Sequence, residues 1–152
     1  MKILEVYTDG SARPNPGDGS WAFCIVDKNK PLHFESGFIP DSTCNQMEMR
    51  AVINSLEWII ENNYSDCMIY LHTDSQYVQL GITNWIVKWK QNNFKSANGT
   101  VKNIAMWKQL DKLSNKLTVH FQWIRGHSGN KWNEFVDKLC SETLDKNIKT
   151  NE

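Results

Sequence analysis

A chain of 152 residues with 40% hydrophobic and 22% charged residues fits one compact domain with a sizeable core, and two full domains are excluded. With 8 Gly, 4 Pro and no biased tract it is not a disordered, collagen-like or repeat protein. Lys and Arg number 17 and so do Asp and Glu, giving a formal net charge of zero, and no apolar run is long enough for a membrane span or a secretory signal. A cytoplasmic protein with no membrane partner is expected. Cys24, Cys44, Cys67 and Cys140 make no C-x-x-C pair, so free and mostly buried thiols are expected.

Lys2 to Asp9 carries Ile3, Leu4, Val6 and Tyr7 and reads as a strand stopping at Gly10. Pro14, Pro16, Gly17 and Gly19 then predict a loop. Trp21 to Asp27 and Leu32 to Ile39 read as two further strands joined by a hairpin turn at residues 27–31. Thr43-Cys44-Asn45-Gln46 has the form of a capping box, and Met47, Ala51, Val52, Leu56, Ile59 and Ile60 follow at helical spacing, which predicts a helix over about 44–62. Met68 to Thr73 is a short strand of buried type, and a helical stretch opens near Gln76, with Gly81 as a potential break. A polar link over 92–99 separates it from a helix near 101–113. Thr118 to Ile124 alternates as a strand, Gly126 and Gly129 frame a loop, and Asn130 can cap a last helix whose apolar face is Trp132, Phe135, Val136, Leu139 and Cys140. A polar C-terminal tail covers 146–152, after a domain at 1–145.

The order β-β-β-α-β-α-α-β-α predicts an α/β fold: a five-stranded mixed sheet, three antiparallel strands and then two parallel to the first, flanked by helices. Asp9 and Asp74 then lie at carboxyl ends of parallel strands, the edge of an open sheet where ligands bind.

The neutral total conceals two opposite segments. From Trp85 to Lys116, seven lysines face the single acid Asp111, while from Pro40 to Asp74 six acids face Arg50. Each run alone is consistent with a solvated helix face, and tryptophans at helical spacing are ordinary core. Trp85, Trp89, Phe94 and Trp107 interleave with the lysines, however, a mixture suited to phosphates and to sugar or base faces.

Four acids carry the chemistry: Asp9 in Thr8-Asp9-Gly10-Ser11, Glu48, Asp74 in Thr73-Asp74-Ser75, and Asp137 in the last helix. Singly, each reads as a turn, cap or helix-surface residue. Converged, they would repel one another unless a cation neutralised them, and an all-oxygen set suits Mg²⁺, with Mn²⁺ as a substitute. Such ions pair with a phosphate substrate, and two of them can activate water on one side of phosphorus and stabilise the leaving oxygen on the other. His127, between glycines in a loop, is placed to pass a proton, although a lone loop histidine is often merely solvated. No G-x-S-x-G elbow, phosphate-loop motif or zinc-ligand spacing is present.

Five motifs in order resemble ribonuclease H of type 1 over nearly the whole chain. They are Thr8-Asp9-Gly10-Ser11 with Asn15-Pro16-Gly17; Asn45-Gln46-Met47-Glu48; Thr73-Asp74-Ser75-Gln76-Tyr77-Val78; Gly81-Ile82-Thr83-Asn84-Trp85; and Gly126-His127-Ser128-Gly129 with Asn133-Glu134-Phe135-Val136-Asp137. The resemblance implies a ribonuclease H-like fold and metal-dependent endonucleolytic hydrolysis of the RNA strand of RNA/DNA hybrids, leaving 3′-hydroxyl and 5′-phosphate ends. It implies that Asp9, Glu48, Asp74 and Asp137 are the metal-binding catalytic acids and that His127 assists proton movement or product release. It also implies that Asn15, Asn45 and Gln76 touch the minor groove of the hybrid, that Thr43 contacts a phosphate, and that Trp85, Lys88, Trp89, Lys90 and Lys95 belong to a basic substrate handle. In that handle Gln91, Asn92 and Phe94 stand where relatives often place basic residues and a tryptophan, which implies weaker hybrid affinity and a shallower salt dependence. A monomeric, standalone enzyme is expected. A noncatalytic hybrid-binding module and a DNA-cleaving metal nuclease of the same fold, such as a junction resolvase, are the alternatives.

Overall fold

The computed structural model describes residues 2–96 and 99–151. β1 (Ile3–Arg13), β2 (Gly17–Asp27) and β3 (Lys30–Ser42) form the antiparallel meander. β4 (Met68–Thr73) pairs parallel to β1, and β5 (Thr118–Trp123) pairs parallel to β4, so the sheet order is β3-β2-β1-β4-β5. This is the sheet expected from the element order.

Side chains alternate across the strands, and the sheet separates two apolar clusters. Leu4, Val6, Phe23, Ile25, Ile69 and Leu71 pack with α1 (Cys44–Glu61) and α4 (Ile104–Asn115) on one face. Tyr7, Ala22, Cys24 and Val26 face Trp132, Val136 and Cys140 of α5 (Lys131–Asn151) on the other. Cys24, Cys67 and Cys140 are buried free thiols, and Cys44 is half-buried.

The caps form where the residues predict them. Thr43 accepts from the Gln46 amide at 3.1 Å, and Asn130 Oδ1 accepts from the amides of Trp132 and Asn133 at 3.1 and 2.9 Å. Only half of the capping box is made at α1, because the Gln46 side chain turns away to Ser42 and Asn103.

Three expectations need correction. β1 does not stop at Gly10 but pairs with β2 out to Arg13–Asp18, leaving residues 14–16 as the connection. Gly10 serves close packing instead of a turn: a Cβ there would lie 2.3 Å from the Glu48 amide nitrogen. Gly81 does not break its helix. A helical run goes from α2 (Gln76–Leu80) through a π-helical turn (Gly81–Trp85) into α3 (Ile86–Gln91), and a Cβ on Gly81 would lie 2.0 Å from the Trp107 ring. The polar residues after Asp145 continue α5 through Asn151, and Asp145 pairs with Arg13 at 2.8 Å. The polar link is a two-residue ribbon, Lys95–Ser96 against Gly99–Thr100; residues 97, 98 and 152 lie outside the described set.

Candidate active site

Just beyond the last β1–β4 pair, Thr8 against Thr73, the sheet brings three acids together: Asp9 within the longer β1 and Asp74 at the carboxyl end of β4. Asp9, Glu48 and Asp74 each offer a carboxylate oxygen within 4.8 Å of the other two. Asp9 shares its strand face with Tyr7, looking toward α5, and α1 approaches from the other side because Gly10 has no side chain to hold it off. Glu48, one turn into α1, therefore reaches the acid of β1. Asp74 is the residue between the end of β4 and Ser75, the cap of α2.

Burial and mutual repulsion dominate the electrostatics. Asp9, 6% exposed, is pushed up to about 8, mainly by desolvation and then by the charge of Asp74. Glu48 is raised well above the ordinary carboxylate range by desolvation and by the charges of Asp9 and Asp74, and its Oε2 is buried without a hydrogen-bond partner. Asp74 is raised less. Burial drives its shift, while Asn133 and His127 favour its ionised form. The Asn133 side-chain nitrogen Nδ2, unlike its backbone N–H, is buried with no partner at hydrogen-bond distance. The Gly10 amide donates to Asp9 Oδ1 at 2.9 Å.

Asp137 stands at the side of this group. It projects from α5 toward Asp9, whose proton affinity it raises, and its side chain is 37% exposed. His127 lies 3.6 Å from Asp137 through Nδ1, is 78% exposed and has a positive φ of 57° in the loop after β5. The fourth acid and the histidine thus form the solvent-side rim of a triad in which Asp9 and Glu48 are buried and Asp74 is half-buried.

An orphaned buried carboxylate oxygen, an all-oxygen donor set and three acids whose proton affinity is raised by burial and by one another fit a hard divalent metal ion. Asp9, Glu48 and Asp74 would hold it.

The other expected residues divide between a groove and an exposed helix. Asn15, Thr43 and Asn45 line a groove of ≈ 820 Å³ with Tyr77, Trp89 and Lys102. Asn15 Oδ1 accepts from the Cys44 amide at 3.1 Å, which ties the β1–β2 turn to the start of α1. Gln76 is exposed in the first turn of α2. Trp85 and Trp89 are half-buried, with ring centroids 5.9 Å apart, and Trp89 packs on Trp107 at 5.3 Å, so these tryptophans belong to the core as well as to the surface. Lys88 and Lys95 are exposed, whereas Lys90 pairs with Asp111 at 3.1 Å.

Asn103 has no role in the sequence reading. It lies in the left-handed region at φ 60°, accepts from Gln46 Nε2 and donates to the Tyr77 hydroxyl, both at 3.1 Å. Trp107 Nε1 donates to the same hydroxyl at 3.2 Å. This chain of polar contacts joins α1, α2 and α4 beneath the groove. An Asn just before a helix was its only local signal.

The RNase H family model matches residues 1–145. A relative from Treponema denticola named Ribonuclease H is 41% identical over 94% of this chain and 98% of its own length. Among solved structures, LC9-RNase H1, described as a type 1 RNase H with the type 2 active-site motif, superimposes with a TM-score of 0.80 at 24% identity over 96% of this chain and 74% of that one. LC11-RNase H1 in complex with an RNA/DNA hybrid gives a TM-score of 0.71 at 24% identity, covering 95% and 99%. The match over the whole catalytic sheet, with identity well above the level that fold alone would produce, shows that this chain belongs to the RNase H family of metal-dependent nucleases.

Proposed function

We propose that this chain hydrolyses the RNA strand of RNA/DNA hybrids with two Mg²⁺ ions, for which Mn²⁺ can substitute, leaving 3′-hydroxyl and 5′-phosphate ends. The observation that carries the reading is the triad of Asp9, Glu48 and Asp74, with its unpartnered Glu48 oxygen, together with a groove lined by amides and hydroxyls along the start of α1, the helix that carries Glu48. When bound, the ions supply an activated nucleophile on one side of phosphorus and charge neutralisation on the other. Asp9, Glu48 and Asp74 bind, and Asp137 completes the acidic rim toward solvent. His127, exposed and beside Asp137, can exchange a proton with the departing strand.

The groove supports the choice of substrate. Asn15, Asn45 and Gln76 offer carboxamides that both donate and accept, the chemistry needed to recognise a 2′-hydroxyl in a wide minor groove without reading sequence. Thr43 at the start of α1 suits a phosphate oxygen. Lys88 and Lys95 are free to neutralise phosphates of the other strand, with the half-buried faces of Trp85 and Trp89 beside them. The relative solved with an RNA/DNA hybrid supports the same substrate here.

The test is incubation of the protein with end-labelled RNA/DNA hybrid, duplex RNA and duplex DNA, each with Mg²⁺ and with chelator. Metal-dependent cleavage of the hybrid's RNA strand alone is expected. Cleavage of duplex DNA would favour a DNA nuclease of this fold, and binding without cleavage a noncatalytic module.

A further inference from the structure

Asp74 is the least anchored of the three acids by its own element. It sits between a six-residue strand and a five-residue helix. Its position is fixed from the neighbouring strand. The Ile124 amide donates to the Thr73 carbonyl at 2.9 Å, continuing the β4–β5 ladder by one step. Trp123 Nε1 then donates to the carbonyl of Asp74 itself at 3.0 Å. Three residues after Trp123, Gly126 lies so near that a Cβ there would be 2.9 Å from Asp74 Oδ2. A four-residue stretch therefore contacts the residue before Asp74, its peptide carbonyl and its carboxylate.

Packing alone does not account for the tryptophan. Val119 and Phe121, on the same face of β5, pack against the core, but Trp123 leaves 41% of its surface in water at the sheet edge. A large ring so exposed is held by its one polar atom, and that atom is directed at Asp74.

We propose that Trp123 to Gly126 form a bracket that positions Asp74 for metal binding, with the Trp123 indole N–H as its pin and the bare Gly126 backbone as its stop. The inference rests on the reading of Asp74 as a metal ligand. Trp123 is a positioning residue, acting through the Asp74 peptide and touching neither ion nor substrate. Because the same strand runs directly into His127, the bracket also sets Asp74 and the histidine loop in one frame.

The deciding variant is Trp123→Phe, which keeps an aromatic ring and removes the donor. Mn²⁺ titration of the metal-free protein, followed by electron paramagnetic resonance of the free ion, should show binding weakened roughly tenfold, as for other groups that orient a metal ligand. In cleavage assays the Mg²⁺ concentration needed for half-maximal rate should rise in step, the KM for hybrid should stay unchanged, and excess Mg²⁺ should restore kcat. Gly126→Ala tests the other side of the bracket and should also weaken Mn²⁺ binding, with circular dichroism confirming the fold of both variants. Unchanged Mn²⁺ affinity in both folded variants would overturn the proposal, as would a raised KM for hybrid with metal affinity intact, which would make Trp123 a substrate contact. Asp74→Asn separates the two levels. If it binds Mn²⁺ like the wild type, the reading of Asp74 as a ligand fails; if it loses Mn²⁺ while Trp123→Phe and Gly126→Ala do not, only the bracket fails.

Discussion

Replacing Asp9 with Asn should make the metal-free protein more stable while abolishing its chemistry. The buried carboxyl retains its proton up to about pH 8, against 3.8 for a free aspartate, so the folded state binds more protons than the unfolded chain across that window. Stability must therefore fall as pH rises from about 4 and level off near 8. At pH 7 the window spans about three pH units at about 1.4 kcal/mol each, a ceiling of about 4 kcal/mol for this one acid. Asn keeps the shape and cannot ionise, so the cost of holding a proton on this carboxyl disappears. A gain of roughly 2–4 kcal/mol at pH 7 follows, or about 5–10 °C in melting temperature for a domain of this size. The assay is thermal unfolding followed by circular dichroism, in chelator, at pH 5, 6, 7 and 8, for wild type and Asp9→Asn. The difference should widen with pH. With saturating Mg²⁺ it should shrink or reverse, because the ion stabilises only the protein that binds it. A stability difference that is absent, or that does not change between pH 5 and 8, would refute the account of the triad as a strained, cation-seeking site.

Divalent-ion binding should release protons and tighten as pH rises toward 8, since Asp9 must ionise to bind; calorimetry in two buffers of different ionisation enthalpy measures the release. Gly10→Ala forces a Cβ against the α1 backbone at Glu48, so cleavage should be lost and the fold destabilised by several kcal/mol, on the order of the largest single-residue effects; denaturant unfolding checks it. Asp111→Asn frees Lys90 for phosphate, and the slope of log affinity against log salt should steepen by about one unit at most, measured by fluorescence anisotropy on a labelled hybrid. His127→Ala should lower kcat roughly 10²-fold and leave hybrid affinity intact, as expected of a proton carrier at the rim.

The sequence by itself determined the element order, the strand and helix types and the caps at Thr43 and Asn130, because alternation, 3.6-residue spacing and cap chemistry are local properties. Asp9, Glu48, Asp74 and Asp137 stood out as candidates because their motifs resemble those of a known family, and the fold brings the first three together. Glycine roles were not legible. Gly10 and Gly81 resemble breaks in the chain, but each is there because a distant element, α1 or Trp107, packs where a Cβ would be. Local sequence carries no sign of that neighbour. The ranking of the four acids was likewise decided only by tertiary structure: three cluster, with Asp9 and Glu48 buried and Asp74 half-buried, and one lies at the rim with His127. Whether a lysine of the handle is free depends on Asp111, whether Asn103 matters depends on Gln46 and Tyr77, and the pin on Asp74 comes from Trp123, 49 residues away in the chain. Burial and proximity between remote segments set these energies, and neither exists until the chain has folded.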